Sequence, residues 1–461
     1  MKNMTLEQIA AYCGGVYSGK KETGSVEVAG IAIDSRKIEK DWLFIATKGE
    51  KVDGHSFVRQ VMEAGALGVV VEKEPEDKDI PYILVSDSFR AIRDIAAFYR
   101  AQLSVKVVGI TGSVGKTSTK EMIAGVLEQK YKVWKTAGNF NNEVGLPLTV
   151  FGIRDTHEVA VLEMGISDFG EMNRLGGIAK PDICVITNIG ECHLENLKDR
   201  EGVLRAKTEV FQHMNPDGVA VLNGGDDMLR TLDLVNGNKP VFFGKSGENQ
   251  VYSSGIKSHG FLGSSCTIHT PQGSFEAEIP LPGEHMITNA LAATAVGLTL
   301  GLTLEEIATG IRRAESVGGR SHIIQTEQYT LIDDCYNANP VSMKAALDLL
   351  QSGEGRKVAV LGDMFELGNE TREFHRGTGV YAANTDTDVI VCIGELAKEL
   401  WQGVREETER NGREKKLFYF AKKEDFLEEW QNILLPGDTV LIKASHGMHF
   451  AAMVDKMAGR Q

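Results

Sequence analysis

Short apolar, β-rich runs recur along this chain, and between several of them apolar residues return at helical spacing. Runs at 42–46, 68–71 and 82–85 read as strands of a first unit, with a charged, proline-containing loop at 72–81. Thr5, with Gln8 three residues on, is a capping-box start for a helix ahead of them. Runs at 105–110, 159–162, 183–187 and 219–222 form a second set. Strand and helix in alternation predict a mostly parallel sheet covered on both faces. Thr303 and Glu306 open a helix expected to end near Ser316, and Gly318 and Gly319 then read as a hinge. A third set lies at 330–332, 358–361, 389–393, 417–420 and 439–442, with helices over 342–351 and 424–434. It reads as a second nucleotide-binding-type unit. The pattern predicts an α/β protein of three domains. They are a small N-terminal α/β domain at 1–104, a central P-loop-type domain with a mostly parallel sheet at 105–314, and a C-terminal Rossmann-like domain at 315–461.

Composition narrows the partners. Apolar content of 42% and charged content of 25% are ordinary for a soluble globular protein. A net charge of −14 argues against a broad basic face and so against nucleic acid as partner. An anionic ligand must be held by local groups, against the global field. The uncharged stretch 286–304 has the length of a membrane span, but its Asn289, its threonines and its glycines suit a buried Ala-rich helix that breaks near Gly301. No membrane insertion is expected. Six scattered cysteines without a CxxC pair predict free thiols and a reducing cytoplasm.

The strongest chemical signal is TGSVGKTS, Thr111, Gly112, Ser113, Val114, Gly115, Lys116, Thr117 and Ser118, between a predicted strand and a helix over 116–128. Glycines let backbone amides close around phosphate oxygens, and the helix N-terminus adds partial positive charge. Lys116 supplies a cation, and the Thr117 hydroxyl suits Mg²⁺. The spacing departs from the common form, with five residues between Gly109 and the Gly115-Lys116 pair. An ordinary tight strand-to-helix turn is the alternative.

Other groups carry less by themselves. Glu163 closes the strand VAVLE, where a carboxylate reaches Mg²⁺ or simply meets solvent. His193 follows another strand as a possible cation ligand or a plain loop histidine. Lys207 has the look of any helical lysine. Asn139, Asn141 and Asn142 are a dense amide cluster, as turns often are. Asp34-Ser35-Arg36 and Asp53-Gly54-His55 sit on loops, where Arg36 and Lys48 could meet a diphosphate. IDDCYNANP (332–340) leads into a helix beginning near Ser342, and LGDMFELG (361–368) ends another strand. Both lie at strand carboxyl ends, where ligands of α/β sheets gather.

In order along the chain, TGSVGKTS, GNFNNEVGLPL, the Glu163 strand, NIGECHLE, RAKTE, GEHMITNALAA, GGR and DDCYNANP resemble the Mur ligase family. These are ATP-dependent enzymes that build the peptide stem of bacterial cell-wall precursors. DDCYNANP with LGDMFELG resembles the members that add D-alanyl-D-alanine to UDP-MurNAc-tripeptide. The resemblance implies ATP and Mg²⁺ as cofactors, a monomer acting on small molecules, and roles for particular residues. Ser35, Arg36, Lys48, Asp53, Gly54 and His55 match the region holding the UDP end; Asn141 and Asn142 match positions near the sugar and phosphates. Thr117, Glu163 and His193 match metal ligands, and Lys207 the lysine that relatives carry as a carbamate. Lys116, His193 and Lys207 are the implied catalytic set. Asn289 matches an adenine contact, Arg320 and Asp334 contacts to ATP, and Asn337 and Asn339 the dipeptide side. Met286 stands where Asn is frequent, and KASHGMHF has His446 near the place of an Arg.

The implied reaction is amide formation through an acyl phosphate. A folylpolyglutamate-synthetase-like ligase and a P-loop NTPase switch that makes no amide are the rival expectations.

Overall fold

The structure, a computed structural model, describes residues 1–460. Three sheets succeed one another along the chain. The first has five strands: β1 (Val16–Ser18), β2 (Ile31–Ala32), β3 (Leu43–Ile45), β4 (Gly68–Val71) and β5 (Tyr82–Leu84). Their order is β1-β5-β4-β3-β2, parallel except where β1 meets β5. The expected capping box of Thr5 and Gln8 opens the helix Leu6–Tyr12.

The second sheet holds β6 (Lys106–Thr111), β7 (Val133–Lys135), β8 (Val159–Glu163), β9 (Ile183–Ile186), β10 (Val219–Asn223), β11 (Val241–Gly244), β12 (Val251–Ser258), β13 (Ser264–Thr270) and β14 (Gly273–Ile279). The order is β14-β13-β12-β11-β10-β9-β6-β8-β7. β7 to β12 run parallel, and β13 and β14 add an antiparallel edge. That edge was not expected, because its strands bury little: Ser264, Cys266 and Ile268 face inward between polar neighbours. β6 has β8 on one side and β9 on the other. The chain order switches there, so a crevice opens at the carboxyl end of β6.

The third sheet contains β15 (His322–Gln325), β16 (Thr330–Asp333), β17 (Lys357–Gly362), β18 (Val389–Ile393), β19 (Lys416–Phe420) and β20 (Thr439–Lys443), in the order β15-β16-β20-β17-β18-β19. All neighbours are parallel except β15 against β16. The helix after Thr303 has its capping box but ends at Arg312, before the expected Ser316. The helix after β16 begins at Pro340 rather than near Ser342, because Asn339 caps it.

The first two units share one core. Ile92, Ile95 and Tyr99 of the helix Ser88–Ala101 pack with Val107, Leu146 and Leu162 of the second unit. The Tyr99 hydroxyl donates to the carbonyl of Ile153 at 2.6 Å, and buried Arg100 donates to that of Ala179 at 3.1 Å. The third unit has its own clusters on the two faces of its sheet, and only Phe261 from the β12–β13 turn packs into one of them. Burial thus welds units one and two together and leaves unit three lightly attached.

The helix Lys116–Leu127, which starts at the predicted phosphate loop, is almost enclosed. Met122, Ile123, Val126 and Leu127 are buried against the helices His285–Thr299 and Leu304–Arg312. The Ala-rich helix is buried as expected and stops at Thr299, before Gly301 in the left-handed region. Among the described residues no helix is long and apolar enough to cross a membrane. Gly310 lies directly on the backbone of Gly125 and Val126, so that a Cβ there would overlap main-chain atoms that cannot turn aside. Gly310→Ala is therefore expected to lower unfolding stability by about 1–3 kcal/mol, read from the urea midpoint of the central unit.

Candidate active site

β6 delivers the glycine loop to the crevice between β8 and β9. Gly112, at φ 146°, lies hard against the side chain of Thr187 at the end of β9. Gly115, at φ 81°, is the residue before the helix and offers no side-chain cap. The amides of Gly115, Lys116, Thr117 and Ser118 have no protein acceptor among the described residues. Unpaired amides at a helix N-terminus are an anion site. The Lys116 ammonium donates to the carbonyl of Gly112 at 2.8 Å. Crowding by protein lowers its pKa, with the charge of Glu163 pulling the other way.

Beside the loop, Glu163 is buried at the end of β8. One carboxylate oxygen accepts from the Thr117 hydroxyl at 2.9 Å, the other from Asn141 Nδ2 at 2.8 Å. The ammonium of Lys120, fully buried one turn beyond Lys116, is 3.9 Å from the carboxylate and donates to Thr136 O at 2.6 Å. A hydroxyl and a carboxylate beside a row of phosphate-ready amides suit Mg²⁺, which takes few protein oxygens and completes its octahedron with phosphate and water. Among the described residues no three His, Cys, Asp or Glu side chains converge into a metal cage. His193, the other expected ligand, has its Nδ1 turned to the third unit, 2.7 Å from Glu366 Oε2, at ion-pair distance but off hydrogen-bond alignment. The Leu194 amide donates to Glu366 O at 3.1 Å, so this contact ties the third unit to the second.

Lys207 is 1% exposed and makes no ion pair among the described residues. Burial pushes its pKa down to about 8, with Cys192 opposing and Lys116 reinforcing the shift. A substantial neutral fraction near pH 8 is unusual for a lysine.

The third unit supplies the facing wall. The Arg320 guanidinium stacks on the Tyr336 ring, 3.9 Å from its centroid. Gly319 N donates to Asp333 Oδ2 at 3.0 Å, Ser321 N to Asp334 Oδ1 at 2.9 Å, and Tyr336 N to Gly319 O at 3.0 Å. Residues 319–321 are thus stapled to the DDCYN loop, and the expected Gly318–Gly319 hinge is left with Gly318 and the residues before it. Asp334 also pairs with buried Lys443 at 2.6 Å, and Lys443 donates to Asn337 O at 3.0 Å. The Asn339 Oδ1 accepts from Ser342 N at 2.9 Å as the helix cap, so that oxygen is committed to the fold. Asn289 accepts from Thr119 Oγ1 at 3.0 Å, which turns its Nδ2 toward the weakly accepting Met286 sulfur.

These walls enclose a cleft of about 630 Å³. Ser113–Lys116, Ser118, Asn141, Asn142, Glu163, His193, Asn289, Arg320, Asp334, Asn337 and Asn339 all line it. Thr111, Gly112, Thr117 and Lys207 are not among the lining residues. Asn188, His285, Tyr336 and Glu366 also line the cleft; they lie inside NIGECHLE, GEHMITNALAA, DDCYNANP and LGDMFELG, but the motifs did not single them out, and Lys120, 3.9 Å from Glu163, lies in none of them. The third sheet presents no second open helix terminus at β18: buried Asp363 accepts from Ala397 N at 2.7 Å and fills that end.

Ser35, Arg36, Lys48, Asp53, Gly54 and His55 are not part of this cleft. Asp34 caps the turn Ser35–Lys37 and pairs with Arg36, whose hydrogen bonds hold its carboxyl down to about 2. Asp53 caps Gly54–Phe57 and bridges to Lys48 through the backbone. The Glu72 amide donates to His55 Nε2 at 2.9 Å, so Nδ1 carries the proton and faces Asp53 at 2.7 Å. These two turns are rigid and keep Arg36 and Lys48 at the surface.

Comparison with known proteins matches this arrangement domain by domain. The profile described as Mur ligase family, catalytic domain, covers residues 27–107; Mur ligase middle domain covers 110–297; and Mur ligase, glutamate ligase domain, covers 319–446. The chain is 38% identical over 461 residues to the UDP-N-acetylmuramoyl-tripeptide--D-alanyl-D-alanine ligase of Bacillus subtilis (strain 168), with 98% of both chains covered. Among solved structures it is similar to MurF from Acinetobacter baumannii, at 32% identity and a TM-score of 0.89 over 99% of both chains. It is also similar to MurF ligase from Thermotoga maritima in complex with ADP, at 28% identity and a TM-score of 0.81, covering 93% of this chain and 97% of that one.

The loop carrying Glu366 rests on buried His375, which accepts from Met364 N at 2.9 Å and lies 2.6 Å from Thr371 O through its other nitrogen. Burial lowers its pKa from 6.5. The unfolded chain then binds a proton that the native state refuses, so stability is lost as pH falls below 6.5. Wild type should lose up to about 1.4 kcal/mol per pH unit more than His375→Gln between pH 6.5 and the lowered native value. Urea titrations of both proteins across pH 5.5–7.5 test this.

Proposed function

The chain belongs to the Mur ligase family, and we propose that it joins D-alanyl-D-alanine to UDP-MurNAc-tripeptide, converting ATP to ADP and phosphate, in the synthesis of peptidoglycan precursors. The observation that carries this reading is the row of unpaired amides from Gly115 to Ser118, with Lys116, facing a cleft whose far wall is the third domain. One side suits a nucleotide, and the other suits an incoming amine.

A tripeptide carboxylate oxygen attacks the γ-phosphorus of ATP, and ADP leaves. The amine of the dipeptide then attacks the acyl phosphate carbonyl, loses a proton, and phosphate leaves. Activation is needed because a carboxylate is a poor electrophile. The loop amides hold the phosphates, and Lys116 exchanges the Gly112 carbonyl for phosphoryl oxygens as charge moves onto them. Thr117 and Glu163 would hold Mg²⁺, which supplies charge compensation for the transferred group. His193 joins them once Glu366 lets it go. Asn289 presents a donor to the nucleotide, because Thr119 fixes its amide. Arg320 and Asp334 contact ATP from the third domain, with the Arg320 guanidinium as the group suited to its phosphates. Asn337 meets the dipeptide, and Asn339 acts at one remove by setting the helix beside it.

The domain roles follow: 1–104 for the UDP end, 105–314 for ATP, and 315–461 for the dipeptide. Ser35, Arg36, Lys48, Asp53, Gly54 and His55 lie away from the cleft, which suits a long substrate whose uridine end is remote from its reacting carboxylate. Asn141 and Asn142 line the cleft and would meet the sugar and phosphates of that substrate. Lys207, buried and without an ion-pair partner among the described residues, suits conversion by CO₂ to a carbamate, which exchanges a stranded cation for an anion able to hold Mg²⁺. Free thiols at all six cysteines support a cytoplasmic protein. A monomer with no membrane or nucleic-acid partner is the working assembly.

A phosphate-release assay tests the whole reading. Phosphate is expected only when UDP-MurNAc-tripeptide and D-alanyl-D-alanine are both present. Hydrolysis with neither would mark an NTPase switch, and turnover with a folate and glutamate the other ligase type. Lys116→Ala should cut kcat by about a hundredfold or more, and full turnover in that variant would remove Lys116 from the mechanism.

A further inference from the structure

An anion site built from parallel amides is unfavourable when empty. The N–H dipoles point the same way, and a loop with two glycines has many other conformations to choose. Something must hold it open before nucleotide arrives. In this chain the hold falls on Val114, the middle of the loop. Its N–H donates to Asn188 Oδ1 at 2.9 Å. Its carbonyl accepts from Asn188 Nδ2 at 3.1 Å and from the Thr187 hydroxyl at 2.6 Å. The preceding amide, Ser113 N, donates to the Asn188 carbonyl at 3.0 Å. Asn188 therefore pairs with the loop as a neighbouring strand would, using its side chain to continue β9 past its end.

The consequence is directional. With both backbone groups of Val114 turned toward β9, the next four amides, Gly115 to Ser118, turn toward the cleft. The glycine at 112 lets the loop lie close enough for this, since its α-carbon packs on Thr187. Only a side-chain amide offers both a donor and an acceptor in this geometry. Aspartate would set a carboxylate oxygen against the Val114 carbonyl, and leucine would break both bonds.

We propose that Asn188 is a positioning residue for nucleotide binding, which holds the loop in its phosphate-ready form in the nucleotide-free protein. It acts through Val114 and need not touch the nucleotide. The inference rests on the reading of residues 111–118 as a phosphate-binding loop.

The test compares wild type, Asn188→Leu and Asn188→Ala by calorimetric titration with Mg-ADP and by amide hydrogen exchange without nucleotide. Both variants should bind ADP about tenfold or more weakly, the worth of one to two hydrogen bonds. Amides across 113–118 should exchange faster in the nucleotide-free variants. In the ligase assay KM for ATP should rise by a similar factor while kcat at saturation stays within about threefold. A merely structural role predicts the reverse, with a lower melting temperature and lost kcat at unchanged KM. ADP affinity within twofold of wild type in a folded variant overturns the proposal. If one variant fails to fold, the other carries the test. Wild type that binds no Mg-ADP would instead overturn the phosphate-loop reading.

Discussion

A run of amides without protein acceptors, at the start of one buried helix, is the constraint on which the rest of this structure depends. The protein carries a net charge of −14, so its global field repels a polyphosphate. Attraction has to come from fixed dipoles and one lysine at short range. That requires the helix Lys116–Leu127 to stand still, and the surrounding packing has this effect. Its apolar face is closed by two further helices, one of them so near that Gly310 meets the backbone of Val126. At its other end, β6 is the switch point of the sheet, and β8 and β9 supply Glu163 and Asn188 to either side of the loop. The anion site is therefore the corner at which sheet order, helix packing and loop pairing meet.

The domain pattern was plain in the sequence wherever strands are buried on both faces, because such strands read as continuous apolar runs. β6, β8, β9, β17, β18 and β20 were found this way to within a residue or two. β12 to β14 were missed for the converse reason. They form an antiparallel edge in which Ser264, Ser253 and Ala277 occupy inward positions, so alternation is present but its hydrophobic contrast is slight. The helix starts at Thr5 and Thr303 were legible because capping boxes are local.

The site was legible unevenly. Glycines and a lysine in a fixed order mark the phosphate loop because backbone geometry demands them. Glu163 and Asn141 gained meaning only when brought together at 2.8 Å. Lys207, Lys120 and Asn188 carry no such mark. A lysine on a helix looks the same whether it faces water or protein, and an asparagine at a strand end looks like any turn residue. Asn339 carries two tasks at once: its Oδ1 caps a helix, and the residue also lines the cleft.

The uneven sharing of core explains how such a site can open and close. Units one and two are joined by a common apolar interior, so the turns at 34–37 and 53–57 and the loop at 111–118 keep a fixed relation. Unit three meets them through Phe261, the Glu366–His193 contact and the segment before Gly319. Arg320 lies just past that segment and is fastened to unit three by the Asp333, Asp334 and Tyr336 contacts. Any rotation of unit three must therefore carry the arginine with it, along with Asn337. The Arg320 guanidinium and the Asn337 loop thus move as one body relative to the phosphate-loop side of the cleft. That coupling links nucleotide contact to amine contact across the cleft of about 630 Å³, because Arg320, Asp334 and Asn337 all line it from unit three.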